Sequence, residues 1–232
     1  MTSNYKIAIL TLRIGEKYKE FTKLGMLTQI EYCKRNGYDL IDDESVYDKS
    51  RPIPWSKILS IKKYLQQYDY IVWMDADIII LNFEVKLESF INQYLFNKES
   101  DFLMCIDTGN KRNTGVWFIK NTDYALKFMD RIYEQTNYID AGEWEQTAFN
   151  NLYEQNIDNI QSKSTIFPYS QAYLFNCLLY DYKYGYFLIH FMGCRDLYLL
   201  SQFFKDLYPL QRDDESIDQY NSRIDNLKTK YA

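Results

Sequence analysis

The chain has 232 residues, 47% of them apolar, and a formal net charge of −5. That length suits one large α/β domain, and the apolar share is enough for a sizeable core. An acidic balance without a basic stripe argues against a general nucleic-acid binder, and a phosphorylated small substrate would need a local cation to hold it.

Other bulk features narrow the setting. The 23 tyrosines, with heavy use of isoleucine, lysine and asparagine, read first as genomic base composition, although a few could line a sugar pocket. Cys33, Cys105, Cys177 and Cys194 contain no CxxC pair. This argues against a structural zinc site and a disulfide framework, and the four read as reduced thiols. Met1 to Lys6 leads straight into a strand-like run without a signal peptide, and no apolar run approaches the about 20 residues of a membrane helix. A soluble, cytoplasmic chain without a transmembrane segment is the expectation. Oligomeric state is not legible.

In chain order, Ile7–Leu12 is short, apolar and β-rich, as in a strand covered on both faces. Over residues 16–36, Tyr18, Phe21, Leu24, Leu27, Ile30 and Cys33 recur every third position, which predicts a helix closed by Asn36-Gly37. Tyr38–Ile41 predicts a second strand. Residues 42–54, with Pro52 and Pro54, read as a loop. Trp55–Gln67 is an amphipathic helix, and Tyr68–Met74 a buried strand ending in Asp75-Ala76-Asp77. Ile78–Leu81 continues extended. Strand, helix, strand, helix, strand indicates a parallel sheet with crossover helices.

Phe102–Ile106 and Gly115–Ile119 then read as strands around a polar turn, Asp107–Asn113. Helices are predicted over 122–136 and 143–155, and a late strand over Tyr186–Phe191. From Arg212 the chain is charged with helical spacing, a solvated helix or a flexible end.

Four elements carry chemistry. Asp75 and Asp77 stand at i and i+2 beyond a strand, so both carboxylates project the same way from the carboxyl edge, where open α/β sheets bind ligands. Two such carboxylates repel unless a cation lies between them, and their oxygens suit Mg²⁺ or Mn²⁺ shared with substrate phosphates. His190, the one histidine, lies in an apolar run. It is either a satisfied core residue or a third ligand at a strand end. Gly193 would permit close approach of phosphate and Arg195 would clamp it. Asn113-Thr114-Gly115 is either an ordinary turn or part of the site mouth. Glu145 and Gln146 open a helix, as acid favoured by the helix dipole or as groups beside a reacting sugar.

These elements, with Trp55-Ser-Lys57-Ile-Leu-Ser-Ile61, Tyr70-Ile-Val-Trp-Met-Asp-Ala-Asp77, Asn113–Asn121 and His190-Phe-Met-Gly-Cys-Arg195, resemble the galactosyl/mannosyl/xylosyltransferase family. That family includes the yeast α-mannosyl- and α-galactosyltransferases and the plant xyloglucan xylosyltransferases. The resemblance covers about residues 5–200. It implies a GT-A fold, α/β with a Rossmann-like, mostly parallel sheet and flanking helices. A single domain would occupy residues 1–210, and residues 211–232 would be a charged C-terminal helix or tail.

The resemblance also implies Mn²⁺ dependence, with Mg²⁺ as the substitute ion, and sugar transfer with retention. The donor would be a nucleotide-sugar, UDP-linked before GDP-mannose, and the acceptor a carbohydrate or other hydroxyl. Asp75, Asp77 and His190 would ligate the metal. Lys57 would reach the donor's phosphates or sugar, and Thr11 its nucleoside. Ala76, between the two aspartates, belongs to the same donor-contacting set. Asn113 would face the donor sugar or acceptor, Gly193 and Arg195 would hold the diphosphate, and Gln146 would lie near the anomeric centre. Relatives commonly carry Asp-Asp-Gln where this chain has Trp144-Glu145-Gln146.

Same-face attack by the acceptor is preferred over a covalent adduct on Glu145. A sugar-phosphate nucleotidyltransferase would carry a glycine-rich basic loop after the first strand, and Thr11-Leu-Arg-Ile-Gly15 is poor in glycine. Intact Asp75, Asp77 and His190 argue against a non-catalytic sugar-binding module.

Overall fold

The structure, a computed structural model, describes residues 5–208 and 215–230. Eight strands and eight α-helices lie among these residues. The strands are β1 (Ile7–Thr11), β2 (Asp39–Asp42), β3 (Tyr70–Met74), β4 (Ile78–Ile80), β5 (Phe102–Ile106), β6 (Arg112–Lys120), β7 (Ser164–Phe167) and β8 (Leu188–His190). The helices are α1 (Glu16–Phe21), α2 (Lys23–Asn36), α3 (Ser56–Leu65), α4 (Leu87–Phe90), α5 (Asp123–Tyr133), α6 (Trp144–Glu154), α7 (Leu197–Leu207) and α8 (Ile217–Lys230). Among the described residues, no helix is long and apolar enough to cross a membrane.

The main sheet runs β2-β1-β3-β6-β5-β7. Strands β2, β1 and β3 are parallel, β6 is antiparallel to both β3 and β5, and β7 is parallel to β5. β1 and β3 are buried along their whole length because helices and loops cover both faces. Alternation along each strand divides the core. Ile9, Val72, Met74, Val116 and Phe118 enter one cluster, while Leu10, Ile71, Trp73, Trp117 and Ile119 pack against α3, α5 and α6.

β4 and β8 form a separate antiparallel ribbon. Ile79 and Ile189 pack there with Leu200, Phe203 and Phe204 of α7 and with Tyr220, Ile224 and Leu227 of α8. The charged C-terminal helix therefore has a buried apolar stripe and is not solvated all round. The expected boundary near residue 210 lies outside the described residues.

Residues 16–36 form two helices rather than one. The Thr22 hydroxyl bonds the Tyr18 carbonyl at 2.8 Å, a local side-chain bond that competes with helix propagation. The every-third-residue stripe is also not the buried face, since Leu27 is 39% and Ile30 45% exposed. At 3.6 residues per turn, a strict three-residue repeat drifts around the helix. The face that packs is Gly25, Thr28, Gln29, Tyr32 and Cys33. α2 ends as expected at Gly37, left-handed at φ 75°, where the N–H groups of Gly37 and Tyr38 both reach the Cys33 carbonyl.

β6 begins at Arg112, so Asn113-Thr114-Gly115 is strand, and the hairpin loop is the shorter Asp107–Lys111. No element is predicted from the sequence at β7, at α4 with the π-helical turn Ile91–Phe96 behind it, or at α7, although Leu200, Phe203, Phe204 and Leu207 of α7 follow helical spacing.

Gly25 is where α2 meets the ribbon. A Cβ there would lie 2.6 Å from the Ile78 carbonyl oxygen and 2.9 Å from the Phe204 ring. Gly25→Ala should therefore destabilise by about 1–3 kcal/mol despite its better helix propensity. A lowered urea midpoint at unchanged m-value would register this.

Candidate active site

Strand direction brings the site together. Because β6 runs antiparallel to β3, its first residues lie beside the end of β3. The Asp75 N–H donates to the Gly115 carbonyl at 2.8 Å. Because β8 runs antiparallel to β4, His190 pairs with Ile78, and the Phe191 N–H donates to the Asp77 carbonyl at 3.0 Å. Side chains 113 residues apart in sequence, at Asp77 and His190, thus meet at one point.

His190 Nε2 is 3.3 Å from Asp77 Oδ1 and 3.9 Å from Asp75 Oδ2. One ligand atom from each of the three residues lies within 4.8 Å of the others. Ligands of an octahedral ion with bonds of about 2.1 Å are about 3–4.2 Å apart, a range that holds both His190–aspartate distances, so the set suits one small divalent ion. Two carboxylates and an imidazole are also the donor types a Mn²⁺-like ion accepts.

Beneath the acidic pair lies Lys57 of α3, buried. Its Nζ is 2.8 Å from Glu145 Oε1, 3.1 Å from Asp75 Oδ1 and 3.1 Å from the Thr114 carbonyl. The Trp73 indole N–H also donates to Asp75 Oδ1, at 2.6 Å. Oδ1 is therefore occupied, and Oδ2 is the oxygen left towards His190. Burial works against the charge on Lys57, but the Asp75 and Glu145 carboxylates outweigh it and raise its pKa. At Asp77 burial would favour the neutral acid, yet His190 and Lys57 hold its carboxyl below the usual range. At His190 burial is likewise outweighed, by Asp77 and Asp75, and the ring's pKa is raised.

The remaining sequence candidates differ in burial and in partners. Glu145 is buried in the Lys57 ion pair, and its second oxygen has no hydrogen-bond partner among the described residues. Gln146 Oε1 accepts from the Thr114 N–H at 2.9 Å and so ties α6 to β6. Asn113 is buried, with its oxygen accepting from the Gly115 N–H at 3.0 Å. Thr11, at the end of β1, is fully buried, and its hydroxyl also lacks a partner among the described residues. Ala76 is buried between the aspartates. Gly193 and Arg195 sit at the rim, both exposed, Gly193 at φ 80° and Arg195 with its guanidinium 5.9 Å from the Trp144 ring. Trp144 itself holds a left-handed φ of 45°.

Tyr18 and Asn176 escaped the sequence reading as site residues, and Gly115 entered it only as part of the candidate site mouth. Tyr18 of α1 has a hydroxyl held protonated by burial and by the negative charges of Asp77 and Asp75. Gly115 leaves room for the imidazole, because a Cβ there would lie 2.2 Å from His190 Cε1. A glycine inside a strand signals such a close approach. Asn176, fully buried, bonds the His190 ring from a segment with no periodic pattern, and nothing in the sequence marks it.

Comparison with known proteins gives a consistent picture. The model of the galactosyl transferase GMA12/MNN10 family matches residues 3–98 and 88–198. Galactomannan galactosyltransferase 1 of Cyamopsis tetragonoloba is 24% identical over 108 residues, 44% of this chain and 25% of that protein. Probable xyloglucan 6-xylosyltransferase 3 of Arabidopsis thaliana is 25% identical over 108 residues, 44% of this chain and 24% of that one. The alignments thus span about a quarter of the length of these relatives. Among solved structures, a glycosyltransferase involved in glycosylation of the major capsid of PBCV-1 superposes with a TM-score of 0.69. That match covers 86% of this chain and 98% of that one at 17% identity, and it shows a shared fold.

Lys57→Met tests the buried charge cluster. It leaves Glu145 and one Asp75 oxygen facing each other without the ammonium, and loss of about 3–5 kcal/mol in denaturant unfolding is expected.

Proposed function

The chain belongs to the galactosyl transferase GMA12/MNN10 family, and from that premise we propose that it moves a hexose or pentose from a nucleoside-diphosphate sugar to a hydroxyl of a glycan or other acceptor, with retention at the anomeric carbon. UDP-sugars are the first choice of donor and GDP-mannose the second. The fold is that of the GT-A glycosyltransferases. The observation that carries the reading is the convergence of Asp75, Asp77 and His190 beside the buried Lys57 at the carboxyl ends of β1 and β3. The family match ends at residue 198, which supports a catalytic unit ending near residue 210 with α8 appended.

When bound, Mn²⁺, or Mg²⁺ in its place, supplies positive charge for the diphosphate that leaves. Asp75 Oδ2, Asp77 and His190 Nε2 hold the ion. Lys57 keeps Asp75 in place from below and adds positive potential to the site floor. Thr11, whose buried hydroxyl has no partner among the described residues, would lie beneath the nucleoside at the end of β1. Arg195, exposed in a loop that turns at Gly193, would reach the diphosphate from the rim. Gln146 and Asn113 flank the sugar end.

Glu145 is engaged by Lys57 at 2.8 Å within a buried ion pair. That engagement supports same-face attack by the acceptor over a covalent adduct on Glu145, since a carboxylate in a buried pair is a poor nucleophile. Glu145 then acts by holding Lys57.

Screening nucleotide-sugars for hydrolysis tests the reading. Wild-type protein should release nucleoside diphosphate from one donor with Mn²⁺ and lose that activity with EDTA. Asp77→Asn should reduce turnover at least 100-fold with an unchanged circular dichroism spectrum; retained activity would count against the proposal. Since His190's pKa is raised in the metal-free protein, the ring carries a proton at lower pH that an incoming ion must expel. Mn²⁺ affinity should rise with pH until the ring is neutral and then level off. Calorimetry in buffers of different ionisation enthalpy should find the number of protons released per ion falling as pH rises through the ring's titration.

A further inference from the structure

His190 is the only histidine in the chain, and its ring ends a run of hydrogen bonds whose direction is set at the far end. The Gly115 backbone N–H donates to Asn113 Oδ1 at 3.0 Å. A backbone N–H can only donate, so the atom facing it is the Asn113 oxygen; turning that amide round would set two donors against each other. The same oxygen lies 3.1 Å from Asn176 Nδ2, which donates to it. Asn176 is thereby oriented too, and its Oδ1 lies 2.8 Å from His190 Nδ1. A carboxamide oxygen only accepts, so Nδ1 carries the hydrogen. In the neutral ring the lone pair is then on Nε2, the atom 3.3 Å from Asp77 Oδ1 and 3.9 Å from Asp75 Oδ2.

We propose that Asn176 is a positioning residue for the cation site, holding His190 as the Nδ1–H tautomer through the relay from Gly115 N–H by way of Asn113. The inference rests on the metal-binding reading above and deepens it. The relay is rigidly mounted. The Asn176 N–H bonds the Ala172 carbonyl at 2.7 Å, and the His190 N–H bonds the Cys177 carbonyl at 2.8 Å. Gly115 closes one side of the ring.

The chemistry of the partner matters as much as its place. A carboxylate facing Nδ1 would stabilise the imidazolium and add negative charge to a site that already holds Asp75, Asp77 and Glu145. A neutral amide oxygen selects the tautomer without that cost. Asn113 then has a second task beyond facing a sugar, since its oxygen transmits the direction of the relay.

A single histidine makes the test direct. Untagged protein with ¹⁵N-labelled histidine gives one pair of ring nitrogen signals, and Zn²⁺ serves as the diamagnetic probe ion. With Zn²⁺ bound, Nδ1 should keep a directly attached proton and Nε2 should lose its own and shift. Asn176→Leu should give mixed tautomers and bind Zn²⁺ and Mn²⁺ about 10–100-fold more weakly. Asn176→Asp keeps an oxygen before Nδ1 but sets its second oxygen against Asn113 Oδ1, so it should keep the tautomer and bind both ions more weakly than wild type. A proton on Nε2 in the ion-loaded wild type, or Asn176→Leu affinity within twofold of wild type, overturns the role of Asn176. Should Asn176→Leu not fold, the wild-type spectrum alone decides. Ring signals that neither ion moves would sink the cation site itself, and this role with it; a wrong tautomer in the ion-loaded protein sinks only the role of Asn176.

Discussion

The contact between the Lys57 ammonium and the two carboxylates above it, Asp75 and Glu145, is the interaction on which the rest of the site depends. Three elements that share no sequence neighbourhood each end on this group: α3 brings the lysine, β3 the aspartate, and α6 the glutamate. Thr114 adds a carbonyl and a hydroxyl from β6. An ammonium so deeply buried is tolerable only with this many acceptors, and carboxylates so close are tolerable only with the ammonium between them. The cluster therefore makes docking of α3 and α6 onto the sheet conditional on the site being correctly formed.

Topology does the remaining work. A wholly parallel sheet would leave the start of β6 at the opposite edge from Asp75. Reversing that one strand puts Asn113, Thr114 and Gly115 where β3 ends. The ribbon of β4 and β8 repeats the device, leaving the site along β4 and returning along β8 to deliver His190. The proposed metal ligands thus stand on strand ends, and their partners stand on a reversed strand and a pinned loop. Rigid elements of this kind hold ligand geometry better than loops do.

The rim is built differently. Gly193 and Arg195 are exposed, while Trp144 beside the arginine packs half-buried against the core and adopts a backbone conformation uncommon for a bulky residue. Buried fixed charges hold the proposed ion from below, and a freer cation waits above. Such an arrangement suits the proposed grip on a diphosphate and its later release.

Much of this was legible before the fold was known. Buried strands β1 and β3, the acidic pair beyond β3, the glycine stop of α2 and the family resemblance all follow from local patterns: apolar runs, i and i+2 spacing, and left-handed glycine. What local pattern could not decide is who faces whom. His190 in an apolar run reads equally as core or ligand until β8 is seen paired with β4. Asn113-Thr114-Gly115 reads as a turn or the site mouth until β6 is seen to begin at Arg112, three residues before the strand predicted from Gly115. Glu145 reads as a group beside the sugar until Lys57 is found at its oxygen. Leu27 and Ile30 read as core until a repeat of three is laid on a helix of 3.6 residues per turn. Asn176 had no signal at all, because a neutral amide in an aperiodic segment acquires meaning only from the nitrogen it meets. The sequence alone determined which groups with chemical capacity the protein owns and the class of fold that carries them. Tertiary structure decided which of those groups share a charge, a proton or an ion, because pairing energies fall off within a few ångströms and only the folded chain sets those distances.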